Sequence, residues 1–280
     1  MRSDVRGLQE LRTCVLVNVT SLSEVLQGKR VCVLTGAGIS TDSGIPDYRG
    51  PKAKVRKRPP IQHREFLERP DVRARYWTRS MLGWPKFREA QPNVSHRALA
   101  GWRQVHGVIT QNVDRLHHKA GSRDVLELHG ALEDVRCLSC ARSRSRDALQ
   151  LELERANARL LGTHFTLFAD GDADVPDEVV RDFVVPVCDC GGTLKPDVVF
   201  FGDSVPRPRV ELAFSTLDAS DALLVVGSSL TVFSGYRFVL RARERGLPVA
   251  IVNLGPTRAD ADATVKVNAP IADVLPALCA

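Results

Sequence analysis

Short apolar runs recur along the chain, and most of them end in small or polar residues. Val31 to Leu34, Gly107 to Thr110, Val125 to Leu128, Ala222 to Val226 and Val249 to Asn253 are of strand length and rich in β-branched residues. Helical patterns fall between them, at Arg64 to Arg69, Asp71 to Leu82, Ser95 to Gln104, Asp147 to Leu161 and Tyr236 to Arg245. Gly83-Trp84-Pro85 is expected to end the second of these helices. Strands alternating with helices predict an α/β protein with a parallel, doubly wound sheet.

The first strand runs into Thr35 to Gly50, TGAGISTDSGIPDYRG. Gly36 and Gly38 let the backbone turn tightly and approach a ligand where a Cβ would clash. Ser40 and Thr41 put hydroxyls at an expected helix start, where free N–H groups favour a phosphate. A strand, a glycine turn and a helix make a dinucleotide-binding, Rossmann-like arrangement, although Thr41 stands where a third glycine is usual. Gly-x-Gly alone equally fits an ordinary tight turn. Ile45-Pro46-Asp47-Tyr48-Arg49 adds an acid, an aromatic and a base just beyond the turn.

Two polar clusters stand at later strand ends. Gln111-Asn112-Val113-Asp114 follows the Gly107 strand, where open α/β sheets bind ligands. Its amides and carboxylate suit ribose hydroxyls and a carboxamide, and a polar turn with Asp114 as helix N-cap is the other reading. His117 and His118 lie on the next helix and read as structural or solvent-facing. His129 closes the Val125 run before Gly130, and imidazole is suited to moving a proton near neutral pH. A lone histidine is more often structural, so position decides its reading.

Beyond His129 the composition changes. Cys137-x-x-Cys140 opens a charged, irregular stretch that closes on Cys188-Asp189-Cys190-Gly191-Gly192. Two cysteine pairs in one excursion point to a four-thiolate structural zinc site. A pair of disulfides is the alternative, against which stand an odd total of seven cysteines and the lack of a recognisable signal peptide. Between the pairs, Gly171 to Asp177 reads as a mobile acidic loop.

Charge changes the picture little. The 280 residues carry a net +6, much of it in the Pro-containing segment Lys52 to Arg64. A basic loop beside an anionic cofactor accounts for it, as does a solvated loop; no nucleic-acid partner is expected. No apolar run is long enough to span a bilayer, so no membrane role is expected. Acids among residues 1–27 argue against a leader, and a bacterial cytoplasmic location is expected, or the mitochondrial matrix in a eukaryote.

These motifs, taken together and in order, resemble the sirtuins, the NAD-dependent protein deacylases. The matching stretches are GAGISTDSGIPDYR, QNVD, His129-Gly130 and Gly227-Ser228-Ser229-Leu230. GWP at Gly83 to Pro85, LKPDVVFFGD at Leu194 to Asp203 and NLGPTR at Asn253 to Arg258 resemble the family's class II. That class includes mitochondrial lipoamidase-type members and bacterial relatives. The family's second cysteine pair is usually Cys-x-x-Cys, so the Cys188-x-Cys190 spacing puts Cys188 in question as a ligand.

The resemblance implies NAD and Zn2+ as cofactors and an acyl-lysine protein or peptide as substrate. It implies a catalytic domain over 29–275 after an extension 1–28. Residues 29–45, 93–133 and 196–275 would be Rossmann-like, with a helical and cofactor-loop insertion at 46–92 and a zinc insertion at 134–195. The insertions would form a smaller domain, with the substrate cleft between the two. NAD would bind at Gly36, Ala37, Gly38, Ser40, Thr41, Ile45, Asp47, Tyr48 and Arg49, then at Gln111, Asn112 and Asp114, and at Gly227, Ser228, Ser229, Asn253, Leu254, Gly255 and Ile271. His129 and Asn112 would be catalytic, and Cys137, Cys140, Cys188 and Cys190 would hold zinc. Val198, Val199, Phe200, Phe201 and Gly202 would offer an edge to the peptide. Tyr76 and Arg79, three apart on a helix, resemble pairs that read an acidic acyl chain, or they are an Arg packed over a Tyr.

The implied reaction moves the acyl group from lysine to ADP-ribose and releases nicotinamide, with His129 as base. Mono-ADP-ribosyl transfer to protein and a non-catalytic NAD or ADP-ribose sensor are the alternatives.

Overall fold

The computed structural model describes residues 19–50, 60–167, 173–174 and 176–280. Their strands are β1 Val31–Thr35, β2 Val105–Thr110, β3 Val125–Glu127, β4 Gly130–Cys137, β5 Ser143–Ser145, β6 Thr166–Leu167, β7 Ala173–Asp174, β8 Leu194–Val198, β9 Ala222–Val226, β10 Val249–Val252 and β11 Val265–Val267. Six of them form one parallel sheet in the order β11-β10-β9-β1-β2-β3. From β1 the chain fills one side of the sheet through β2 and β3, then the other through β9, β10 and β11. The strand order reverses between β1 and β9, and ligands of such sheets bind outside the carboxyl ends at that point.

The apolar runs have a direct cause in this sheet, since a strand's side chains alternate between its faces. Val31, Val33, Val108, Leu224 and Val252 face a core with Leu22, Leu99 and Val274. Cys32, Leu34, Ile109, Leu223, Val225 and Ile251 face a second core with Leu217, Phe238 and Val239. Both faces are buried, so the strands read as continuous rather than alternating apolar runs.

The smaller unit combines the antiparallel sheet β5-β4-β8, the β6–β7 hairpin and the helices Pro70–Glu89 and Arg146–Ala156. Phe66, Trp77 and Met81 from the helical insertion share one core with Val135, Cys137, Leu149 and Leu194 from the cysteine-bearing insertion. Between the two units, Ile45, Trp84, Phe87, Leu116, Leu132 and Val198 pack together.

The structure corrects several sequence expectations. The helix from Pro70 does not end at Gly83-Trp84-Pro85 but runs through them to Glu89. A proline at position 85 has no N–H for the carbonyl four residues back. That carbonyl, on Met81, instead accepts from Gln150 Nε2 at 2.9 Å, so a neighbouring helix supplies the missing donor. The segment from Leu194 does not rejoin the parallel sheet; β8 pairs antiparallel with β4, and the return comes only with β9. The helix expected at Ser95–Gln104 spans Val94–Gly101, capped by Asn93. That expected from Tyr236 starts at Phe233. β4, β5, β6, β7 and β11, and the helix Arg207–Asp218, have no counterpart among the sequence expectations.

Among the described residues no helix is long and apolar enough to cross a membrane. Most of the basic segment Lys52–Arg64 lies outside the described residues. Of the expected acidic loop Gly171–Asp177, residues 171, 172 and 175 lie outside them, while Ala173–Asp174 form β7 and Asp177 opens a short helix instead of continuing a loop.

Candidate active site

At the switch point two glycine turns lock together. Gly36 N–H donates to the Val226 carbonyl at 3.0 Å and Gly38 N–H to the Gly227 carbonyl at 2.9 Å. A Cβ on Gly36 would fall 2.8 Å from Gly227 O, and one on Gly38 would fall 2.9 Å from Gly227 Cα. Gly227 has φ +61 and would itself drive a Cβ to 2.5 Å from Ile39 N. Backbone packed on backbone therefore dictates all three glycines. The helix that follows, Ala37–Ser43, is 3-10 rather than α.

The hydroxyls expected to face a phosphate are spent within the protein. Ser40 Oγ donates to Asp114 Oδ2 at 2.7 Å, and Thr41 Oγ1 donates to the Gly38 carbonyl at 3.1 Å. Asn112 Nδ2 reaches both the Gly36 carbonyl and Ser40 Oγ at 3.1 Å. Asp114 Oδ1 accepts from Leu116 N–H at 2.9 Å, so this carboxylate holds the start of the helix Leu116–Lys119 and anchors the loop at once. Burial pushes the Asp114 carboxyl above its usual range, opposed by the Leu116 N–H, the Ser40 hydroxyl and Lys119.

His129 stands just past β3. Its Nδ1 is 2.9 Å from the Gln111 carbonyl and its Nε2 is 2.9 Å from Ser234 Oγ. Burial lowers the imidazole below its ordinary value; the Gln111 carbonyl opposes this, and the charges of Arg209 and Arg237 reinforce it. The neutral ring is thus the resting form, as a base requires. Gly130 must be glycine, because its φ is +79 and a Cβ would lie 1.9 Å from the Asp197 carbonyl of β8. That close pairing ties the histidine turn to the small sheet.

These features open into one cavity of about 1200 Å³. It is lined by Gly36, Ala37, Gly38, Ser40, Thr41, Ile45, Asp47, Tyr48, Arg49, Gln111, Asn112, Asp114 and His129. Gly227, Ser228, Ser229, Asn253, Leu254, Gly255 and Ile271 form its other end, and Val198 to Gly202 run along one side. From the helix Pro70–Glu89 the lining residues are Tyr76, Ser80 and Trp84, a face with period four. Arg79 is buried and engaged within the protein, and it is not among the described lining residues. Ser80, Trp84, Leu132, Ser234 and Arg237 line the cavity without having been singled out beforehand. Continuing the helical period past Gly83 would have found Ser80 and Trp84.

The four cysteines converge as well. Cys137 and Cys190 sulfurs are 3.6 Å apart, those of Cys140 and Cys188 are 3.8 Å apart, and all four lie within 4.8 Å of one another. Tetrahedral zinc at Zn–S of about 2.3 Å requires sulfurs about 3.8 Å apart. The Cys188 sulfur thus lies with the other three, at distances such an ion could bridge, despite its shortened spacing. The turn from Cys188 makes this reach: Gly191 N–H bonds to the Cys188 carbonyl at 2.8 Å and Cys188 N–H to the Gly192 carbonyl at 2.9 Å. A side chain on Gly192 would fall 2.7 Å from Cys137 Sγ.

By fold and site this is a two-lobed α/β protein of the dinucleotide-binding class with a four-cysteine knuckle. Residues 36–234 match the model of the Sir2 family, and the chain belongs to that family. It is 49% identical over 269 residues to the NAD-dependent protein deacylase Sirt4 of Drosophila melanogaster, covering 93% of this chain and 86% of that one. It is 51% identical over 251 residues to an NAD-dependent protein deacetylase of Xanthomonas axonopodis pv. citri, covering 88% and 86%. The human mitochondrial NAD-dependent protein lipoamidase sirtuin-4 is 48% identical over 255 residues, covering 89% and 81%. Among solved structures, one of a Sir2 enzyme with a p53 peptide and NAD+ has a TM-score of 0.70 at 31% identity, covering 90% of this chain and 93% of that one.

Proposed function

We propose that this protein is an NAD-dependent protein lysine deacylase that transfers the acyl group of acyl-lysine to ADP-ribose and releases nicotinamide. The observation that carries the reading is His129, neutral and half-buried, on the wall of the same cavity as the interlocked glycine turns. The lining fits NAD. The cavity exceeds the usual 300 to roughly 1,000 Å³ of a small-ligand pocket, which leaves room for a dinucleotide and an acyl-lysine side chain together. No side chain projects from Gly36, Gly38 or Gly227 where a pyrophosphate would cross.

NAD, when bound, supplies an electrophilic ribose carbon with nicotinamide as leaving group and ribose hydroxyls to receive the acyl group. The residues of this chain do the rest. Asn112 and Asp114, cross-linked through Ser40, hold the polar end of the cavity rigid beside Ile45. Nδ1 of His129 donates to the Gln111 carbonyl, so Nε2 is the nitrogen that takes a proton. Asn253, Leu254 and Gly255 would hold the adenosine end. The peptide would lie along Val198–Gly202, its acyl chain entering between Tyr76, Trp84, Leu132 and Phe200. Cys137, Cys140, Cys188 and Cys190 would hold zinc as a structural ion, about whose sulfurs the smaller unit folds. The compartment we propose is the bacterial cytoplasm, or the mitochondrial matrix for a eukaryotic source.

The test is nicotinamide release from NAD with and without an acyl-lysine peptide. Peptide-dependent release with acyl-ADP-ribose formed in equal amount supports the reading. Labelled ADP-ribose left on protein selects mono-ADP-ribosyl transfer instead, and NAD binding without turnover selects a sensor.

A further inference from the structure

The base of this reaction has a partner that the reaction itself does not call on. Nδ1 of His129 faces a carbonyl, which can only accept, so Nδ1 carries the proton of the neutral ring. Nε2 is then an acceptor, and the hydroxyl of Ser234, 2.9 Å away, donates to it. Ser234 does not belong to the His129 turn. It stands in the first turn of the helix Phe233–Glu244, which packs on the parallel sheet.

That first turn is docked on Gln111 as well. Gly235 is buried, and a Cβ there would fall 2.5 Å from Gln111 Nε2. On the same side chain, Gln111 Oε1 accepts from Ser228 Oγ at 2.7 Å. Gln111 is thus held from two sides while its main-chain oxygen fixes His129. Arg237, one turn further along, lies over the Phe233 ring at 5.3 Å and lines the cavity. Its charge disfavours the imidazolium and so favours the acceptor form that Ser234 engages.

We propose that Ser234 is a positioning residue for His129: it holds the imidazole with Nε2 toward the cavity and occupies that nitrogen until a substrate hydroxyl replaces it. The exchange is one O–H···N hydrogen bond for another, so the ring keeps its orientation as substrate enters. The kinetic consequence rests on the deacylase reading, whereas the structural one rests on the hydrogen-bond geometry at the two ring nitrogens alone.

Two measurements test it. In ligand-free protein carrying 15N-labelled histidine, above the imidazole titration, wild-type Nε2 should resonate as a hydrogen-bonded acceptor. Ser234→Ala should move that signal to the position of an unbonded acceptor with Nδ1 still protonated, and Ser234→Thr should restore it. In turnover with NAD and an acyl peptide, Ser234→Ala should lower kcat about three- to tenfold, the worth of one neutral hydrogen bond. KM for NAD should stay within about twofold, and Ser234→Thr should recover most of kcat. A nitrogen signal unmoved by Ser234→Ala overturns the proposal whatever the activity. A moved signal with kcat unchanged overturns the positioning role. Absence of any turnover by wild type defeats the deacylase reading instead, and the nitrogen signal still decides whether Ser234 holds the ring.

Discussion

Gln150 and Met81 are joined by a bond that a regular helix would have made for itself. Gln150 Nε2 donates to the Met81 carbonyl at 2.9 Å, the acceptor that Pro85 leaves without a helical donor. The helix therefore continues to Glu89 and carries Trp84 to the cavity wall. Gln150→Leu should therefore strand a buried carbonyl and lower stability by about 1–3 kcal/mol. In a Pro85→Ala background the restored N–H takes that carbonyl, so the same substitution costs less. Urea unfolding of the four proteins measures the coupling; additivity within about 0.5 kcal/mol would refute the compensation.

That bond also marks how far the sequence could be read. The strands of the parallel sheet were legible because burial on both faces leaves uninterrupted apolar runs such as Ala222 to Val226. The ligand-facing residues were legible where glycine or a short polar cluster closes a strand, as at Gly36 and Gln111. Helix continuity through Pro85 was not, because its donor lies on Gln150, 65 positions away in the chain. Ser234 escaped notice for a similar reason: a serine in a first helical turn signals nothing until the fold sets His129 against it. The hydroxyl of Ser40 was visible, but its use by Asp114 depends on a contact between separate loops.

A second expectation concerns acid. His96 and His117 have their ring centroids 5.0 Å apart, and His117 Nε2 lies 3.0 Å from Thr35 Oγ1 at the end of β1. Burial pushes His96 down to about 4 and His117 down to about 3. The unfolded chain takes up these protons near pH 6.5 and the folded chain does not, so their stabilising contribution is complete above about pH 6.5. It is lost as pH falls through the window toward 4 and 3. Each histidine steepens the loss by at most about 1.4 kcal/mol per pH unit. Chemical unfolding of His117→Gln between pH 7 and 4.5 should show a shallower dependence than wild type. An identical slope would rule out this pair as the source.

The cysteine cluster predicts one zinc per chain. Because ligation supplies folding energy in such knuckles, Cys137→Ser and Cys190→Ser should yield insoluble or unfolded protein. Cys188→Ser should do the same, since its sulfur completes the set 3.8 Å from Cys140 Sγ. Elemental analysis of soluble, active protein decides the matter, and a zinc-free result would sink the assignment. A harmless Cys188→Ser would leave three ligands.

For His129, the proposed base, substitution by alanine should leave NAD binding within a few-fold and lower deacylation by roughly two to four orders of magnitude. Calorimetry and peptide turnover on the same preparation separate the two effects. Near-normal turnover would remove the histidine from the chemistry.

The acyl pocket gives the most exposed prediction. Reading Tyr76 with Arg79 as a carboxylate clamp requires both on the cavity, and the lining takes Tyr76, Ser80 and Trp84 instead. Phe200 packs on Tyr76 with ring centroids 5.4 Å apart, so this wall is largely aromatic and should favour neutral, apolar acyl chains by burial. Behind it lies a cation. Arg146 is fully buried, its guanidinium 5.2 Å from the Trp84 ring, with one N–H group donating to the Ser80 carbonyl at 3.1 Å. Trp84 screens that charge from the acyl chain. Wild type should therefore turn over lipoyl-type peptides in preference to glutaryl-type ones, and Arg79→Met should leave that ratio unchanged. Trp84→Leu, which thins the screen and keeps an apolar side chain, should shift the ratio toward the acidic chain by about tenfold, the scale of one charge-assisted hydrogen bond. Comparing acetyl, glutaryl-type and lipoyl peptides across the three proteins tests each step. A ratio that moves with Arg79→Met and not with Trp84→Leu would return the selectivity to Arg79.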